Sequence, residues 1–316
     1  MQKQNRIALI STGGTIAGLA DSATNTTDYL AGSLTAEVLL AALPALDKQV
    51  QLEIEALFSI DSKDITPTLW LQLARRVEHY RQRADIDAVL ITHGTDTLEE
   101  SAYFLHLVLP PGKPIVCTAA MRPASALSAD GPMNLYQAIQ LAASGITAHM
   151  GVTVAMNNRI YGARDLSKRH TQSLDAFEAP DSGPIGWADP PQLRMRPQDD
   201  EIGIFPLEGL DHQTNLPCVE VVYVCGGSGP IFLQNPTEKG LEGIVLALPG
   251  HGSLPAAWES ALLALKTKDF PVILTSRTGA GPVRSNWQSP CKMRIYLMLC
   301  LASKRLDLLK ALNPQH

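Results

Sequence analysis

The sequence predicts an α/β protein of two domains, and three observations carry that prediction. Short apolar runs alternate with Gly-rich turns and segments of helical period along most of the chain. At 316 residues the chain is longer than a single core ordinarily fills. The strand–helix rhythm breaks over 188–217, where Pro190-Pro191, Pro197, Asp199-Asp200-Glu201, Pro206 and Pro217 crowd together. We therefore expect an N-terminal catalytic domain at 1–190, a linker at 191–216 and a C-terminal α/β domain at 217–316.

The first strand reads at Arg6-Ile7-Ala8-Leu9-Ile10 and runs into Ser11-Thr12-Gly13-Gly14-Thr15-Ile16-Ala17-Gly18. Ligands of open α/β sheets bind beyond the carboxyl ends of strands. Glycines there let a ligand approach the main chain, so Thr15 stands where a reacting group would be. The spacing is neither a dinucleotide G-x-G-x-x-G nor a P-loop. Residues 19–29 are polar and without apolar period, which describes a surface loop or a mobile cover that carries Tyr29 onto the site. A helix follows at 35–46 and a strand at 51–58. In the next turn, Ser59-Ile60-Asp61-Ser62-Lys63-Asp64, Ser62 and Asp64 are expected to cap a helix at 69–83.

The second informative stretch is a strand at 89–92 followed by His93-Gly94-Thr95-Asp96-Thr97-Leu98-Glu99-Glu100. Thr97 with Glu100 forms a capping box that starts a helix at Leu98. Thr95 and Asp96 are thereby held between a strand end and a helix N-terminus, a position whose unpaired N–H groups suit an anion. With the cap filled by Thr97, Asp96 has no structural task, and His93 is read as structural. The pattern recurs as a strand at 113–118, the turn Ala119-Ala120-Met121-Arg122-Pro123, a helix at 132–143 and a strand at 151–156. The following segment ends at Lys168, either a solvated surface lysine or a site lysine that polarises a hydroxyl. Past the linker, strands read at 219–224, 243–248 and 271–275 and helices at 256–266 and 291–301.

Bulk properties narrow the class. A net charge of −5 argues against a nucleic-acid surface. No apolar run reaches the roughly 18 residues of a membrane span, and no secretory h-region follows Met1. Cys117, Cys218, Cys225, Cys291 and Cys300 are scattered without a C-x-x-C pair, so buried reduced thiols, no metal and a cytoplasmic setting are expected. No cofactor is expected.

Two threonines at strand ends, with Asp96, Lys168 and Tyr29 available, suit acyl transfer. A hydroxyl is a poor nucleophile unless a base or a neighbouring cation activates it. A lysine lowers the cost of the alkoxide, an aspartate orients the lysine, and Tyr29 is a further proton acceptor for Thr15. Backbone N–H groups would stabilise the tetrahedral oxyanion.

Thr12-Gly13-Gly14-Thr15-Ile16-Ala17-Gly18 together with His93-Gly94-Thr95-Asp96-Thr97 resembles the bacterial L-asparaginase/glutaminase family. Met121-Arg122-Pro123, Ser128-Ala129-Asp130-Gly131-Pro132-Met133-Asn134-Leu135 and Arg164-Asp165-Leu166-Ser167-Lys168 extend the match. The resemblance is strong over about 6–186 and looser to the C-terminus. It implies a larger N-terminal and a smaller C-terminal domain with mainly parallel sheets. It implies Thr15 as the nucleophile on the side-chain amide of asparagine. Thr95, Lys168 and Asp96 would be the supporting set, and Tyr29 a lid residue bonded to Thr15. Ser62, Thr95 and Asp96 would hold the α-carboxylate and α-ammonium, with Ala120 receiving the leaving amide through its carbonyl. The products would be aspartate and ammonia, without metal or cofactor. The site would lie between subunits of a homodimer, often paired into a homotetramer.

Four departures accompany the resemblance. Tyr29 lies one residue further from Thr15 than in secreted members. Lys63, at a substrate-binding position, replaces a glutamine and would disfavour an α-ammonium unless it points away. His251 stands where an asparagine is common. No acidic residue occurs between Ser276 and Lys292, where those members carry a glutamate that supports the lid tyrosine. Glutamine is the alternative substrate. A tRNA-dependent amidotransferase subunit, expected to carry a further N-terminal module, and a non-catalytic amino-acid-binding protein are the other readings of this scaffold.

Overall fold

Ile7, Ala8, Leu9 and Ile10 are wholly buried, so strand β1 (Asn5–Gly13) is covered on both faces, as an apolar strand of a parallel sheet must be. The computed structural model describes residues 4–44, 46, 50–197, 201–210, 213–283 and 289–312. Its contacts divide the chain into Met1–Leu207 and Glu208–His316.

In the first unit β1 is followed by α1 (Ala36–Ala41), β2 (Val50–Ile60), α2 (Pro67–Gln82), β3 (Ala88–Thr92), α3 (Leu98–Val108), β4 (Ile115–Thr118), α4 (Gly131–Ser144) and β5 (Val152–Met156). Then come the short strands β6 (Arg159–Gly162), β7 (Ser167–Lys168), β8 (Phe177–Glu178), β9 (Gly186–Ala188) and β10 (Pro191–Leu193). Eight strands form one sheet in the order β10-β9-β6-β5-β4-β3-β1-β2. From β5 to β2 the pairings are parallel, while β6, β9 and β10 extend the sheet antiparallel. Ile7 and Leu9 of β1, Leu90 of β3 and Val116 of β4 meet Leu135, Ile139 and Leu141 of α4 in one core cluster. Burying each such side chain contributes about 1.5–3 kcal/mol.

Register positions the site. Ser11 pairs with Thr92 and Thr92 with Thr118, so β1, β3 and β4 end level with one another. Beyond a register shift, Gly13 pairs with Ile60 at the end of β2. The loops after four parallel strands therefore open on one edge of the sheet, the side on which such sheets bind ligands.

Several expectations are corrected. The helix expected at 35–46 is only Ala36–Ala41. The helix expected at 69–83 begins at Pro67, and Thr66 rather than Ser62 or Asp64 caps it, its Oγ1 accepting from Leu69 N–H at 3.3 Å. Thr97 does precede α3, but its side chain makes no cap bond. β6 and β7 fall in a segment for which the sequence predicts no element. Cys117 and Cys300 are buried, but Cys218 and Cys225, which flank an apolar run rather than lie in it, are exposed, and Cys291 is half-buried.

The second unit is a three-stranded parallel sheet of β11 (Val219–Tyr223), β12 (Gly243–Leu248) and β13 (Val272–Ser276), with α5 (Ala256–Lys266), α6 (Pro290–Ala302) and α7 (Leu306–Leu312). Its core gathers Val222, Ile244, Leu246, Leu248 and Leu274 around Trp258, whose indole N–H donates to Ser228 O at 2.9 Å. His251 lies on an exposed turn after β12. In the segment between Ser276 and Lys292, residues 284–288 lie outside the described residues, as do Asp199 and Asp200 of the expected linker.

Candidate active site

Two glycines make the first wall. Gly13 and Gly14 have φ of 96° and 82°, a region that favours glycine. A Cβ on Gly14 would lie 2.4 Å from the Cα and N of Gly94, so the loops after β1 and β3 meet backbone against backbone. Gly94 in turn has room only for hydrogen, because a Cβ would fall 2.5 Å from Ser62 Oγ. Three loops are thereby pressed together, and Thr15 follows as the first residue of a short 3-10 turn, Thr15–Ala17, at 5% exposure.

Tyr29 reaches Thr15 from a loop closed at its base. Leu19 and Leu30 form an antiparallel bridge, with N–H to O distances of 3.1 and 2.9 Å. The loop is also tied to the segment after β4, where Leu127 N–H donates to Ala23 O at 2.8 Å and Ala20 N–H to Ser125 Oγ at 2.8 Å. Tyr29 OH then lies 2.6 Å from Thr15 Oγ1. Gly18 makes this approach possible, since a Cβ there would sit 2.8 Å from the tyrosine ring. Burial pushes the Tyr29 phenol up, aided by the negative charges of Asp61 and Asp96, while the bond from Thr15 pulls it down.

The second cluster centres on an ammonium. Lys168 Nζ donates to Thr95 Oγ1 at 2.9 Å and pairs with Asp96 Oδ1 at 2.6 Å. Thr95 is 4% exposed, and the side chains of Lys168 and Asp96 are 17% and 56% exposed. The cation is thus shielded while the carboxylate faces solvent. Lys168 N–H also donates to Glu99 Oε1 at 3.4 Å.

Ser62 links the clusters instead of capping a helix. It is buried in a 3-10 turn, Ser62–Asp64, and its Oγ accepts from Asp96 N–H at 3.2 Å. Thr97 Oγ1 donates to Ser62 O at 2.7 Å, which is why that hydroxyl does not cap α3. Lys63 has its exposed ammonium held by Asp61 at 2.5 Å, and that bond raises its pKa, while its charge also acts on Tyr29. His93 is structural as expected, its Nδ1 2.8 Å from Gly94 O and its Nε2 3.0 Å from Ser101 Oγ, and desolvation lowers its pKa.

Ala120 is fully buried in the turn after β4, and the residues that shape this turn were not assigned a role from sequence. Asp130 accepts from the N–H groups of Met121 and Arg122, both at 2.9 Å. Asn134 donates to Ala119 O at 3.0 Å and accepts from Asn157 N–H at 3.0 Å. Asp130 stands at the N-terminal end of α4, yet its side chain makes no cap bond. Only its partners across the turn disclose the role.

A cleft of about 610 Å³ opens beside these groups, with Tyr29, Thr95, Asp96, Arg122, Lys168 and Gln172 among its walls. Among the described residues no group of three or more His, Cys, Asp or Glu could hold a metal ion, and no helix is long and apolar enough to cross a membrane.

Comparison with known proteins bears on both units. Residues 6–200 match the family described as "Asparaginase, N-terminal", and residues 218–309 match "Glutaminase/Asparaginase C-terminal domain". The chain is 35% identical to the L-asparaginase 2 of Bacillus subtilis, over 93% of this chain and 82% of the relative. It is 36% identical to a glutaminase-asparaginase of Pseudomonas fluorescens biotype A, over 88% and 77%. A crystal structure of a probable cytoplasmic L-asparaginase from Campylobacter jejuni superposes with a TM-score of 0.91 at 35% identity, covering 98% of this chain and all of that one.

Proposed function

Because the chain belongs to the asparaginase family, we propose that it hydrolyses the side-chain amide of L-asparagine to L-aspartate and ammonia through an acyl-enzyme on Thr15. The observation that carries this reading is the pairing of two threonine hydroxyls with their activating groups. Thr15 Oγ1 is bonded to Tyr29, and Thr95 Oγ1 to Lys168, which is itself paired with Asp96.

In this reading Thr15 Oγ1 attacks the amide carbon and its proton passes to the departing nitrogen by way of Tyr29. The raised pKa of the phenol supports a relay, which accepts one proton as it gives another, over a standing phenolate base. The C–N bond breaks and ammonia leaves beside Ala120. The Lys168 ammonium polarises Thr95, which holds the water that splits the ester and restores Thr15. Ser62, Thr95 and Asp96 bind the substrate's α-carboxylate and α-ammonium. With Lys63 engaged by Asp61, its charge opposes that ammonium less.

The name of the Pseudomonas relative favours L-glutamine as a second substrate. A homodimer or homotetramer belongs to the same proposal, as does a cytoplasmic setting. The Campylobacter relative is described as cytoplasmic, and a Haemophilus influenzae relative as periplasmic.

The test is ammonia release from L-asparagine and from L-glutamine, assayed separately at neutral pH. The wild-type protein should release ammonia from asparagine. Thr15→Ala and Thr95→Ala should each lower turnover on the order of 10³-fold or more with the fold intact. No release from either amide would refute the reading, and near-normal turnover in either variant would remove that threonine from it.

A further inference from the structure

Lys168 ends a strand of two residues, and so short a ribbon does little to fix it. The turn that follows supplies the support. Arg169 N–H and His170 N–H both donate to Ala176 O, at 2.7 and 3.3 Å. The chain between them folds back on the imidazole of His170. Its Nδ1 accepts from Gln172 N–H at 3.1 Å and from Ser173 N–H at 2.9 Å. Two donors aimed at one ring nitrogen require that nitrogen to be bare, which makes His170 a neutral Nε2–H tautomer. The turn brings Thr171 and Gln172 into the wall of the cleft that Lys168 also lines.

We propose that His170 is a pH-sensitive positioning residue: as a neutral acceptor it folds the 170–173 turn against the cleft and steadies Lys168, and its protonation releases the turn. The proposal rests on the role given to Lys168 above. A proton on Nδ1 converts the acceptor into a donor facing two other donors, so both bonds are lost in one step. Histidine is the side chain whose charge ordinarily changes between pH 5 and 8.

The charged surroundings act in both directions. Lys168 and Arg169 precede His170 and oppose a second cation. Asp96 shares a hollow with Lys168, Arg169, His170 and Thr171 and would favour the cation, but it is committed to Lys168 at 2.6 Å. Asp175, further along the turn, is held by Arg159 at 3.1 Å. Glu178 lies opposite Ser167 in the ribbon, and Glu99 of α3 accepts from Lys168 N–H. Asp96, Asp175 and Glu99 thus already have partners.

Two variants test the proposal. His170→Asn keeps an acceptor that can take N–H groups two and three residues on, as asparagine does in turns, and does not titrate. His170→Ala removes the acceptor. Ammonia release from L-asparagine is followed from pH 5 to 8, and hydrogen exchange of the 169–176 peptide is measured for all three proteins at each pH. H170A should lose roughly 10- to 100-fold in turnover at neutral pH, and H170N should recover most of that loss. The acid limb of the wild-type profile should move to lower pH in H170N. Below pH 6 the wild-type peptide should exchange faster than that of H170N. An acid limb identical in wild type and H170N overturns the proposal, as does neutral-pH turnover in H170A equal to wild type. Exchange needs no turnover: should neither amide be hydrolysed, equal exchange in wild type and H170N at pH 5 would still refute the turn's dependence on His170.

Discussion

Thr15 and Tyr29 share a 2.6 Å hydrogen bond between their hydroxyl oxygens, made across a loop that a Leu19–Leu30 bridge closes at its base. The bond joins a nucleophile candidate on the strongest sequence motif to a tyrosine in a segment with no local pattern. Its consequences can be measured.

Tyr29→Phe keeps the ring that packs on Gly18 and removes only the hydroxyl. Turnover on L-asparagine should fall about 10²-fold, the lower range for losing a group that handles protons. The thermal midpoint should change little. Full turnover in the variant would leave the tyrosine a packing role alone.

Alkaline stability follows from the same residue. The Tyr29 pKa is raised by burial above the unfolded value of 10.0, so the folded protein holds this proton more tightly than the unfolded chain does. The stabilisation is therefore complete below about pH 10 and is lost as pH rises through the folded value. Urea midpoints from pH 8 to 11 should fall more steeply in the wild type than in Y29F. Parallel curves would contradict the shift. The difference between the two proteins is the readout, because burial raises Tyr80 and Tyr161 as well.

Gly14→Ala tests the contact that brings the motif loops together. Its backbone, φ 82° and ψ −176°, is open in practice to glycine alone. The conformation should cost about 1–3 kcal/mol by itself, and the added Cβ meets rigid backbone at Gly94. A lowered melting midpoint and loss of most turnover are expected. Gly162→Ala, with nothing within 4 Å of its Cβ, is the control and should stay close to wild type.

Thiol labelling separates the buried cysteines from those at strand ends. Cys218 and Cys225 are exposed and should alkylate quickly in the native protein at pH 8. Burial pushes the Cys117 thiol up to about 12 and raises Cys300 as well, so both should react only after unfolding. Peptide mass spectrometry resolves the sites, and rapid native labelling of Cys117 would contradict its burial.

The sequence by itself determined the α/β class, because runs such as 88–91 and 243–248 are apolar throughout and buried throughout. It also determined which loops matter, since glycine and hydroxyl residues gather where those runs end. What it could not supply was partnership across the chain. Ser62 and Thr97 both read as caps, and neither caps, because Thr97 Oγ1 finds Ser62 O thirty-five positions away. Asp130 has no role legible in residue order, and it braces the turn around Ala120. Lys168 reads as either surface or site until the fold sets its ammonium on Thr95, seventy-three positions back. The short antiparallel strands carry too few residues to display a period. Periodicity and turn chemistry are local properties that residue order states directly. Which acceptor a hydroxyl or an ammonium meets depends on sheet register and on glycine-thin loop contacts, and those exist only once the strands have paired.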